Sequence, residues 1–326
     1  MFPSFKIIKK KIVYKNKIAF FLNELNFKSK ITLIDIGARS GLNKPFSYID
    51  EEFLNIVGFE PDLSEYKKLK HKFNKRKYFN YAIDENEKNR KFYLLNDEPA
   101  SSLYKPNTKI GNKFEKHHFE RRKIKKIINL KTNKLDSLRN QIAKINFLKI
   151  DTQGSEFEIL KGANLILKNQ IPIILTETWS DDVYKNAKKF FDIAKLLDKY
   201  GYRAIKIDDA ANWRYRSDIS FSDFDEPIRV GYEIFFIKKT EILFKKPFSE
   251  VIKLAILLDL FGFKNLSYFL IKNHPKPIIL IKKDFMKMIK KLNNQDRVLS
   301  TGIRRIIIKI LIKLKLMDYI NFPLHT

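Results

Sequence analysis

A glycine-rich turn, with an acidic residue before it, follows the first apolar run of the chain. Its residues, Asp35-Ile36-Gly37-Ala38-Arg39-Ser40-Gly41, have the spacing D-x-G-x-x-x-G. Glycine has no Cβ atom, so such a turn can pass close beneath a bound ligand. We expect a helix to follow, with an N-terminus that favours a carboxylate of that ligand. The dinucleotide fingerprint G-x-G-x-x-G is absent, because Ala38 and Arg39 follow Gly37.

Two acidic residues end the next two predicted strands. Glu60 comes twenty-five residues after Asp35, and a carboxylate there can accept hydrogen bonds from both hydroxyls of a ribose. Asp84 ends the third predicted strand and is placed to bind the amino group of an adenine. Each also has a structural interpretation, as a helix cap for Glu60 and as a turn residue for Asp84. The predicted cofactor-binding residues are Asp35, Gly37, Gly41, Glu60 and Asp84.

Two further carboxylates are the catalytic candidates. Asp151 ends one predicted core strand and Glu177 ends its neighbour. A carboxylate within hydrogen-bonding reach of an acceptor hydroxyl can act as a general base, although a carboxylate at a strand end is often structural. His117 and His118 are reserve candidates that a solvated basic loop would also explain. Trp179 is suited either to stacking on a sugar ring or to packing in the core.

Short apolar runs alternate with amphipathic stretches from residue 31 onward, which is typical of a parallel sheet covered by helices. The predicted core strands cover residues 31–36, 55–60, 78–83, 145–150, 171–177, 202–207 and 233–237. An inserted pair covers 91–95 and 127–131, and helices cover about 63–73, 155–167 and 184–200. The sequence therefore predicts a doubly wound α/β fold with a mostly parallel sheet of seven strands.

The pattern changes after about residue 240, where helical stretches rich in Lys, Ile and Leu replace the strand signals. We predict an N-terminal basic helical segment over 1–29, the α/β domain over 30–240 and a basic helical C-terminal extension over 241–326. In the extension, Arg305, Lys309 and Lys313 fall on one helical stripe. Such a helix either lies on an anionic membrane or packs on the domain with its lysines in solvent.

The chain resembles the FkbM family of S-adenosylmethionine (SAM)-dependent methyltransferases over roughly residues 30–240. The matching motifs are D-I-G-A-R-S-G at 35–41, G-F-E-P-D at 58–62, Y-A-I-D at 81–84, S-S-L at 101–103, K-L-D-S-L at 134–138, K-I-D-T-Q-G-S-E-F-E-I-L-K-G-A at 149–163 and I-L-T-E at 174–177. Arg39 departs from the small or amide residue that is common at its position, and we assign it no role.

The resemblance implies a class I, Rossmann-like methyltransferase fold in which the last strand inserts antiparallel. It also implies SAM as the cofactor, held by the five cofactor-binding residues, with Asp151 near the transferred methyl group. For the reaction it implies O-methylation of a sugar, a glycan intermediate or a natural product. We therefore expect a small-molecule or carbohydrate acceptor.

The net charge of +28 raises the alternative of an RNA methyltransferase. A/T-rich codon usage is the alternative explanation of the average charge. Two segments are more basic than the rest: residues 105–134 hold eleven Lys and Arg against two Glu, and residues 241–326 hold seventeen against six acids. Neither a base-amine motif nor an RNA-binding module is visible, so we expect no nucleic-acid partner. A noncatalytic scaffold is the third hypothesis, and the intact glycine turn and Glu60 count against it.

Cysteine is absent, which excludes disulfides and thiolate metal sites. No compact His/Asp/Glu motif is visible, and we predict no metal. No apolar run approaches the roughly 18 residues of a membrane span. We expect a cytoplasmic protein. Peripheral contact with the inner face of the membrane is the alternative to packing of the C-terminal helices on the domain.

Overall fold

The computed structural model describes residues 30–42, 45–169, 171–219 and 226–279, with 282–283 and 286–287. The strands within these residues are β1 (Ile31–Ile36), β2 (Leu54–Phe59), β3 (Lys77–Phe79), β4 (Ala82–Asp84), β5 (Asn89–Leu95), β6 (Ile124–Lys134), β7 (Phe147–Ile150), β8 (Ile173–Trp179), β9 (Tyr202–Trp213) and β10 (Ile228–Lys238). Seven of them form one sheet in the order β3-β2-β1-β7-β8-β10-β9. β10 is antiparallel to both of its neighbours, and the remaining neighbours in this sheet pair in parallel.

The chain reverses its winding direction at β1, which pairs with β2 on one side and with β7 on the other. In open α/β sheets a crevice for ligands forms at such a switch point, beyond the carboxyl ends of the strands. The strand order confirms the predicted doubly wound fold, including the antiparallel insertion of the last strand.

A smaller sheet has the order β4-β6-β5, with β5 and β6 antiparallel. It confirms the inserted strand pair and makes both strands longer than predicted. The single strand predicted over 78–83 was wrong, because the chain leaves the large sheet after β3 and enters the small one at β4. Asn80 lies between the two strands, and its side-chain amide donates to the backbone oxygens of Glu60 and Pro61 at 2.8 and 3.0 Å. These two hydrogen bonds hold the chain in place where it passes from β3 to β4.

The described helices are α1 (Leu63–Lys72), α2 (Thr108–Gly111), α3 (Lys116–Arg121), α4 (Glu156–Lys161), α5 (Asn164–Asn169), α6 (Phe190–Lys199), α7 (Thr240–Leu243), α8 (Phe248–Leu260) and α9 (Lys264–Asn273). α1 begins as predicted after Asp62, whose side chain accepts a hydrogen bond from the Ser64 amide at 2.9 Å. The helix predicted over 155–167 divides into α4 and α5 at Gly162. A Cβ atom on Gly162 would lie 2.5 Å from the carbonyl oxygen of Asp84, so this close approach needs a glycine.

Two further helix predictions need correction. The helix predicted over 184–200 begins only at Phe190, because the Asp192 side chain caps the amide of Lys189 at 3.1 Å and Asn186 has a φ of 65°. The glycine turn is followed, within the described residues, by a short 3-10 turn at Phe46–Tyr48 and not by an α-helix.

The apolar core covers both faces of the large sheet. One face packs against α4, α5 and α6, and the other packs against α8 and α9. Most residues of α8 are buried, and its Val251, Ala255 and Leu258 are inaccessible to solvent. α9 packs on α8, with the Ser267 hydroxyl donating to the Ala255 carbonyl at 2.8 Å. The first part of the predicted extension thus shares the core of the α/β domain.

No helix in the described part of the chain is long and apolar enough to cross a membrane. The N-terminal segment 1–29 and the basic stripe at Arg305, Lys309 and Lys313 lie outside the described residues. Peripheral contact of that stripe with an anionic membrane stays a prediction, as does the cytoplasmic location. Co-sedimentation with anionic vesicles at low salt tests the contact, and its absence would contradict it.

Candidate active site

A cleft of about 160 Å³ opens beyond the carboxyl ends of β1, β2 and β7. We call it the cofactor cleft. Three residues predicted from the sequence line it: Gly37 after β1, Glu60 after β2 and Asp151 after β7. Residues of β4 and the segment 98–103 close its other side. The cleft therefore lies at the switch point of the sheet, where the strand order predicts a ligand site.

Gly37 brings two strand ends into contact. Its φ is +80°, and a Cβ atom on it would lie 1.9 Å from the carbonyl oxygen of Asp151. The amides of Gly37 and Ala38 both donate to the Phe59 carbonyl, at 3.1 and 3.0 Å. The turn after β1 is thereby joined to the end of β2 and lies against the end of β7. Only glycine allows this approach.

Glu60 offers a buried carboxylate to the cleft. It is 3% exposed, and burial raises its pKa to about 7 despite a hydrogen bond from the Asp62 amide at 2.9 Å. Arg39, across the cleft, forms ion pairs with Asp62 at 2.7 Å and with Glu98 at 3.0 Å. Arg39 thus links the turn after β1 to two other segments of the wall, a role that the sequence did not reveal.

The other three predicted cofactor residues are not part of the cleft lining. Asp35 is buried and faces Lys149, with 3.7 Å between its Oδ1 and the lysine Nζ, and burial raises its pKa to about 6. Gly41 has a φ of +74°, and a Cβ atom there would lie 2.7 Å from the Phe73 ring, so it serves packing.

Asp84 is fully buried, and its carboxylate pairs with Arg90 at 2.7 Å. Its strand gives Ala82 and Ile83 to the cleft instead. The geometry therefore supports an indirect role for Asp84, as for Asp35 and Gly41, and direct contact of these three residues with a cofactor stays a prediction.

The segment after β7 is a tight loop around a buried acid. Gln153 and Gly154 have positive φ angles of 60° and 120°. The Glu156 carboxylate accepts hydrogen bonds from the amides of Thr152 and Gly154, both at 2.9 Å, and burial raises its pKa to about 7. The Ser102 hydroxyl donates to the Gln153 carbonyl at 2.7 Å. This pattern explains why the motif needs Gly and Glu two residues apart.

Gln153 joins the two catalytic candidates. Its side-chain amide donates to Asp151 Oδ1 at 3.0 Å and to Glu177 Oε2 at 2.9 Å. Lys149 Nζ also donates to Asp151, at 3.2 Å. The structure thus brings Asp151 and Glu177 into one hydrogen-bonded network, and Gln153 and Lys149 are the members that the sequence-based interpretation missed.

The two carboxyl groups differ in protonation. Burial opposes ionisation of Asp151, but Lys149 and hydrogen bonds from Glu177 and Gln153 outweigh it and keep its pKa below the ordinary value. Burial, followed by the charge of Asp151, raises the pKa of Glu177 well above the ordinary value. Of this coupled pair, Glu177 is therefore the member that favours the protonated form, and Asp151 is the member that favours ionisation.

A second cavity of about 350 Å³ lies on the other side of this network. Its lining comes from residues 97–100, the α3 region, the end of β8 and the end of β9: Asp97, Pro99, Ala100, His118, Arg121, Arg122, Gln153, Glu177, Trp179, Ala210, Ala211, Asn212 and Trp213. Pro99 also lines the cofactor cleft. The network of Asp151, Gln153 and Glu177 therefore lies at the boundary between the two spaces.

Short backbone contacts hold α3 over the end of β9. Phe114 forms an isolated bridge with Tyr215, and the Glu115 amide donates to the Arg214 carbonyl at 3.1 Å. The His118 ring stacks on Trp213, with 4.5 Å between the ring centroids. The basic segment predicted as a solvated loop thus forms one wall of the second cavity, and His118 lies in that wall while His117 is exposed.

Comparison with known proteins gives a family match over residues 35–204, to the Methyltransferase FkbM domain. The match covers more than half of the chain and contains all seven predicted site residues. The chain belongs to the FkbM methyltransferase family. SAM is the methyl donor that this family uses, and the strand order is that of its class I fold. The search among curated proteins gave no match.

Two solved structures illustrate the likeness. Methyltransferase FkbM from Methylobacillus flagellatus KT has 12% identity and a TM-score of 0.38, covering 64% of this chain and 43% of that protein. This chain therefore spans less than half of the length of that relative. Magnesium protoporphyrin IX methyltransferase from Synechocystis PCC 6803, solved with bound SAM, has 8% identity and a TM-score of 0.34, covering 71% of this chain and 81% of that protein.

The lining of the cofactor cleft contains groups that could hold the adenosyl part of SAM. Gly37 lets the turn after β1 lie against the end of β7 at the floor of the cleft, and the buried Glu60 carboxylate can accept hydrogen bonds from ribose hydroxyls. The apolar side chains of Phe59, Ile83 and Leu103 supply a surface for a flat aromatic base. These features satisfy the chemical requirements of the family's cofactor.

One side-chain cluster of the methyltransferase was not visible in the sequence spacing. Glu115, His117 and His118 each offer a ligand atom, and these atoms lie within 4.8 Å of one another. However, burial and the neighbouring charges of His117, Arg122 and Arg121 lower the pKa of His118 to about 4. The same positive charges oppose a bound cation. The cluster does not support a metal site.

Trp179 combines features of its two predicted roles, packing in the core and stacking on a sugar ring. It is 2% exposed and packs against Tyr184 and Trp213, with centroid separations of 5.7 and 6.1 Å. It also contributes to the lining of the second cavity. Its buried faces make it mainly a packing residue.

Proposed function

We propose that this protein is a SAM-dependent O-methyltransferase that binds SAM in the cofactor cleft and an acceptor hydroxyl in the second cavity. The observation that carries the proposal is the network of Asp151, Gln153 and Glu177 between these two spaces. The proposed acceptor is a sugar, a glycan intermediate or a natural product of similar size. A volume of about 350 Å³ lies at the lower end of the range for small-molecule sites.

The proposed mechanism assigns proton transfer to the carboxylate pair. SAM, when bound, supplies an electrophilic methyl group on its sulfonium. An in-line displacement requires alignment of the acceptor oxygen, and a base that takes the hydroxyl proton assists it. Asp151 is the member of the pair that favours ionisation, and it lines the cofactor cleft at the boundary with the second cavity. We therefore assign it as the proton acceptor for a hydroxyl that reaches this boundary.

The neighbours of Asp151 keep it ready for this role. Lys149 holds the carboxylate ionised, and its own pKa stays above the ordinary value because Asp151 and Asp35 outweigh the effect of burial. Gln153 fixes the orientation of both carboxyl groups. Glu177 lines the second cavity, favours its protonated form and donates a hydrogen bond that helps to keep Asp151 ionised until Asp151 takes the hydroxyl proton.

Calorimetric titration with S-adenosylhomocysteine (SAH) tests the cofactor part of the proposal. We expect micromolar binding by the wild type and a loss of about 10- to 100-fold in Glu60→Ala, because charge-assisted hydrogen bonds contribute about 1.5–3 kcal/mol each. Glu52→Ala is the matched control, since Glu52 is exposed and lies outside the cleft. A folded wild type that does not bind SAH would refute the proposal and favour a noncatalytic scaffold.

A further inference from the structure

Among the described residues that line the second cavity, Arg122 carries the one charge that no neighbouring group balances. Asp97 and Arg121, also in the lining, pair with each other at 2.6 Å. Glu177 favours its protonated form because burial and the charge of Asp151 raise its pKa well above the ordinary value, and His118 is neutral because its pKa is lowered to about 4. Within the part of the chain that the structure describes, no acidic group forms an ion pair with Arg122. The lining therefore has a net positive charge at Arg122.

The guanidinium of Arg122 is held in place by neutral groups. Its Cζ lies 4.6 Å from the centroid of the Trp213 ring and 5.5 Å from that of Trp179. One of its nitrogens, Nη1, donates to the His118 carbonyl at 3.3 Å. The charge also lies beside the hydroxyl of Tyr184. Stacking of this kind orients a guanidinium without neutralising it.

Two buried hydrogen-bond donors in this part of the cavity point to a ligand. The Nε of Arg122 and the Nε1 of Trp179 are both buried, and neither has a hydrogen-bond partner among the described residues. A buried donor without an acceptor is unfavourable, so such groups often mark the place of a ligand atom. Arg122 and Trp179, which carry these donors, line the same cavity as Glu177 and Gln153, whose end of the cavity borders the cofactor cleft. The cavity thus has an anion-binding end and a proton-transfer end.

We propose that Arg122 binds an anionic group of the acceptor, a phosphate or a carboxylate, while the acceptor hydroxyl lies near Glu177. The acceptor class would then be an anionic hydroxyl compound, such as a sugar phosphate or a sugar acid. Guanidinium groups bind both anions through two parallel hydrogen bonds. This inference rests on the proposed function, because it assumes that the second cavity is the acceptor site.

The tryptophan residues provide a local signal for the test. Trp179 and Trp213 are the two tryptophans of the chain, and both stack with Arg122 and line the cavity. The full-length protein, saturated with SAH, is titrated with inorganic phosphate and with acetate while tryptophan fluorescence is recorded. Sodium chloride at the same ionic strength is the reference. We expect a saturable change with phosphate and with acetate that chloride does not produce.

Variants assign the signal to Arg122. Arg122→Gln should weaken binding of phosphate and acetate at least tenfold, and Arg122→Lys should retain part of it because the charge remains. Arg139→Gln is the matched control, since Arg139 is exposed and lies outside the cavity lining. SAH binding by each variant, measured by calorimetry, confirms that it is folded.

The possible results separate the two proposals. Binding of SAH without a saturable response to either anion would overturn the role of Arg122 and leave the proposed function intact. An unchanged anion response in Arg122→Gln would also overturn that role. Failure of the wild type to bind SAH would refute the proposed function itself.

Discussion

The cofactor cleft and the second cavity lie on either side of one hydrogen-bonded network but are built in different ways. Gly37, Glu60 and Asp151 each directly follow a parallel strand of the large sheet. The second cavity instead depends on α3, on the loop at residues 97–100 and on the far end of β9. Its Trp213 lies beyond the residues that match the family, which end at 204. The cleft therefore belongs to the shared fold, and the cavity wall lies in part outside it.

This difference separates the two steps of the proposed reaction. The proposed cofactor site relies on backbone geometry at strand ends. It needs a glycine after β1 and acidic residues after β2 and β7, and few other residues could replace them. The proposed acceptor site relies on side chains, some at the ends of β8 and β9 and others on α3 and on residues 97–100, which lie outside the large sheet. Substitutions in the cofactor cleft and in the second cavity should therefore have different effects.

Replacement of the base at the boundary should have the largest effect. We expect Asp151→Asn to lower kcat about 100- to 10,000-fold, equivalent to about 3–5 kcal/mol in activation free energy, because amide nitrogen cannot take the proton. The measurement is the initial rate of SAH formation with an active acceptor. Glu177→Gln is the matched variant, with an expected loss of about tenfold because Gln can still donate a hydrogen bond. The reverse order would assign the base to Glu177 on the acceptor side.

Loss of the close approach at Gly37 should have the next largest effect. We expect Gly37→Ala to lower the free energy of unfolding by about 3 kcal/mol and to abolish SAH binding, because its Cβ would meet the Asp151 carbonyl. Urea denaturation and calorimetry measure the two effects. Gly262→Ala is the control, since Gly262 has a φ of +90° but no atom within 4 Å of the place that a Cβ would take. In Gly262→Ala the positive φ alone should lower the free energy of unfolding by about 1–2 kcal/mol. An equal loss of stability in the two variants would contradict the role of the clash at Gly37.

The pH dependence of SAH binding should identify Glu60 as a cofactor ligand. Its pKa is raised to about 7, so it is protonated below that pH and ionised above it. Ribose hydroxyls donate best to the ionised form, and affinity should therefore rise up to about tenfold per pH unit until pH 7 and level off above it. Calorimetry across about pH 5.5–8.5, at about half-unit steps, measures this. Glu60→Gln should bind more weakly and without this dependence; a variant with the wild-type profile would exclude Glu60.

The smallest effect should come from removal of the Tyr184 hydroxyl, which connects Ala100 to the loop after β7. The Tyr184 hydroxyl donates to the Ala100 carbonyl at 2.7 Å and lies 3.2 Å from Gln153 Oε1. We expect Tyr184→Phe to lower the free energy of unfolding by about 1 kcal/mol in urea denaturation. Tyr200→Phe is the control, because its hydrogen bond to Asn164 is exposed and should contribute less than about 0.5 kcal/mol. Equal effects would mean that the buried contact does not stabilise the fold.

The sequence predicted most of the sheet because buried parallel strands have a strong apolar pattern. β1 has the predicted bounds, and the order of the strands agrees with the resemblance. β9 and β10 are much longer than predicted. Their outer parts contain polar residues and therefore lack an apolar pattern, yet they pair with each other beyond the core. The glycine turn is followed by a 3-10 turn at Phe46–Tyr48 and not by the predicted α-helix within the described residues.

For the site, the sequence identified residues by motif but not by orientation. Gly37, Glu60 and Asp151 line the cofactor cleft, whereas Asp84 turns to Arg90, an ion pair that no spacing rule indicates. The contact of Arg122 with Trp213 depends on the bridge between residues 114 and 215, which only the folded chain brings together. Long-range pairings of this kind are not encoded in local periodicity.

The position of α8 has a consequence for how the chain is made. The sheet face that contains Ile31, Leu33 and Phe147 is covered by a helix that begins only at Phe248. At the usual ribosomal speed of about 5–20 residues per second, that face stays uncovered for roughly 10–40 s after β1 has been synthesised. During this time an apolar surface is open to chaperones and to other nascent chains. Truncation before residue 248 would make that exposure permanent, so aggregation during synthesis is the risk that the late position of this helix creates.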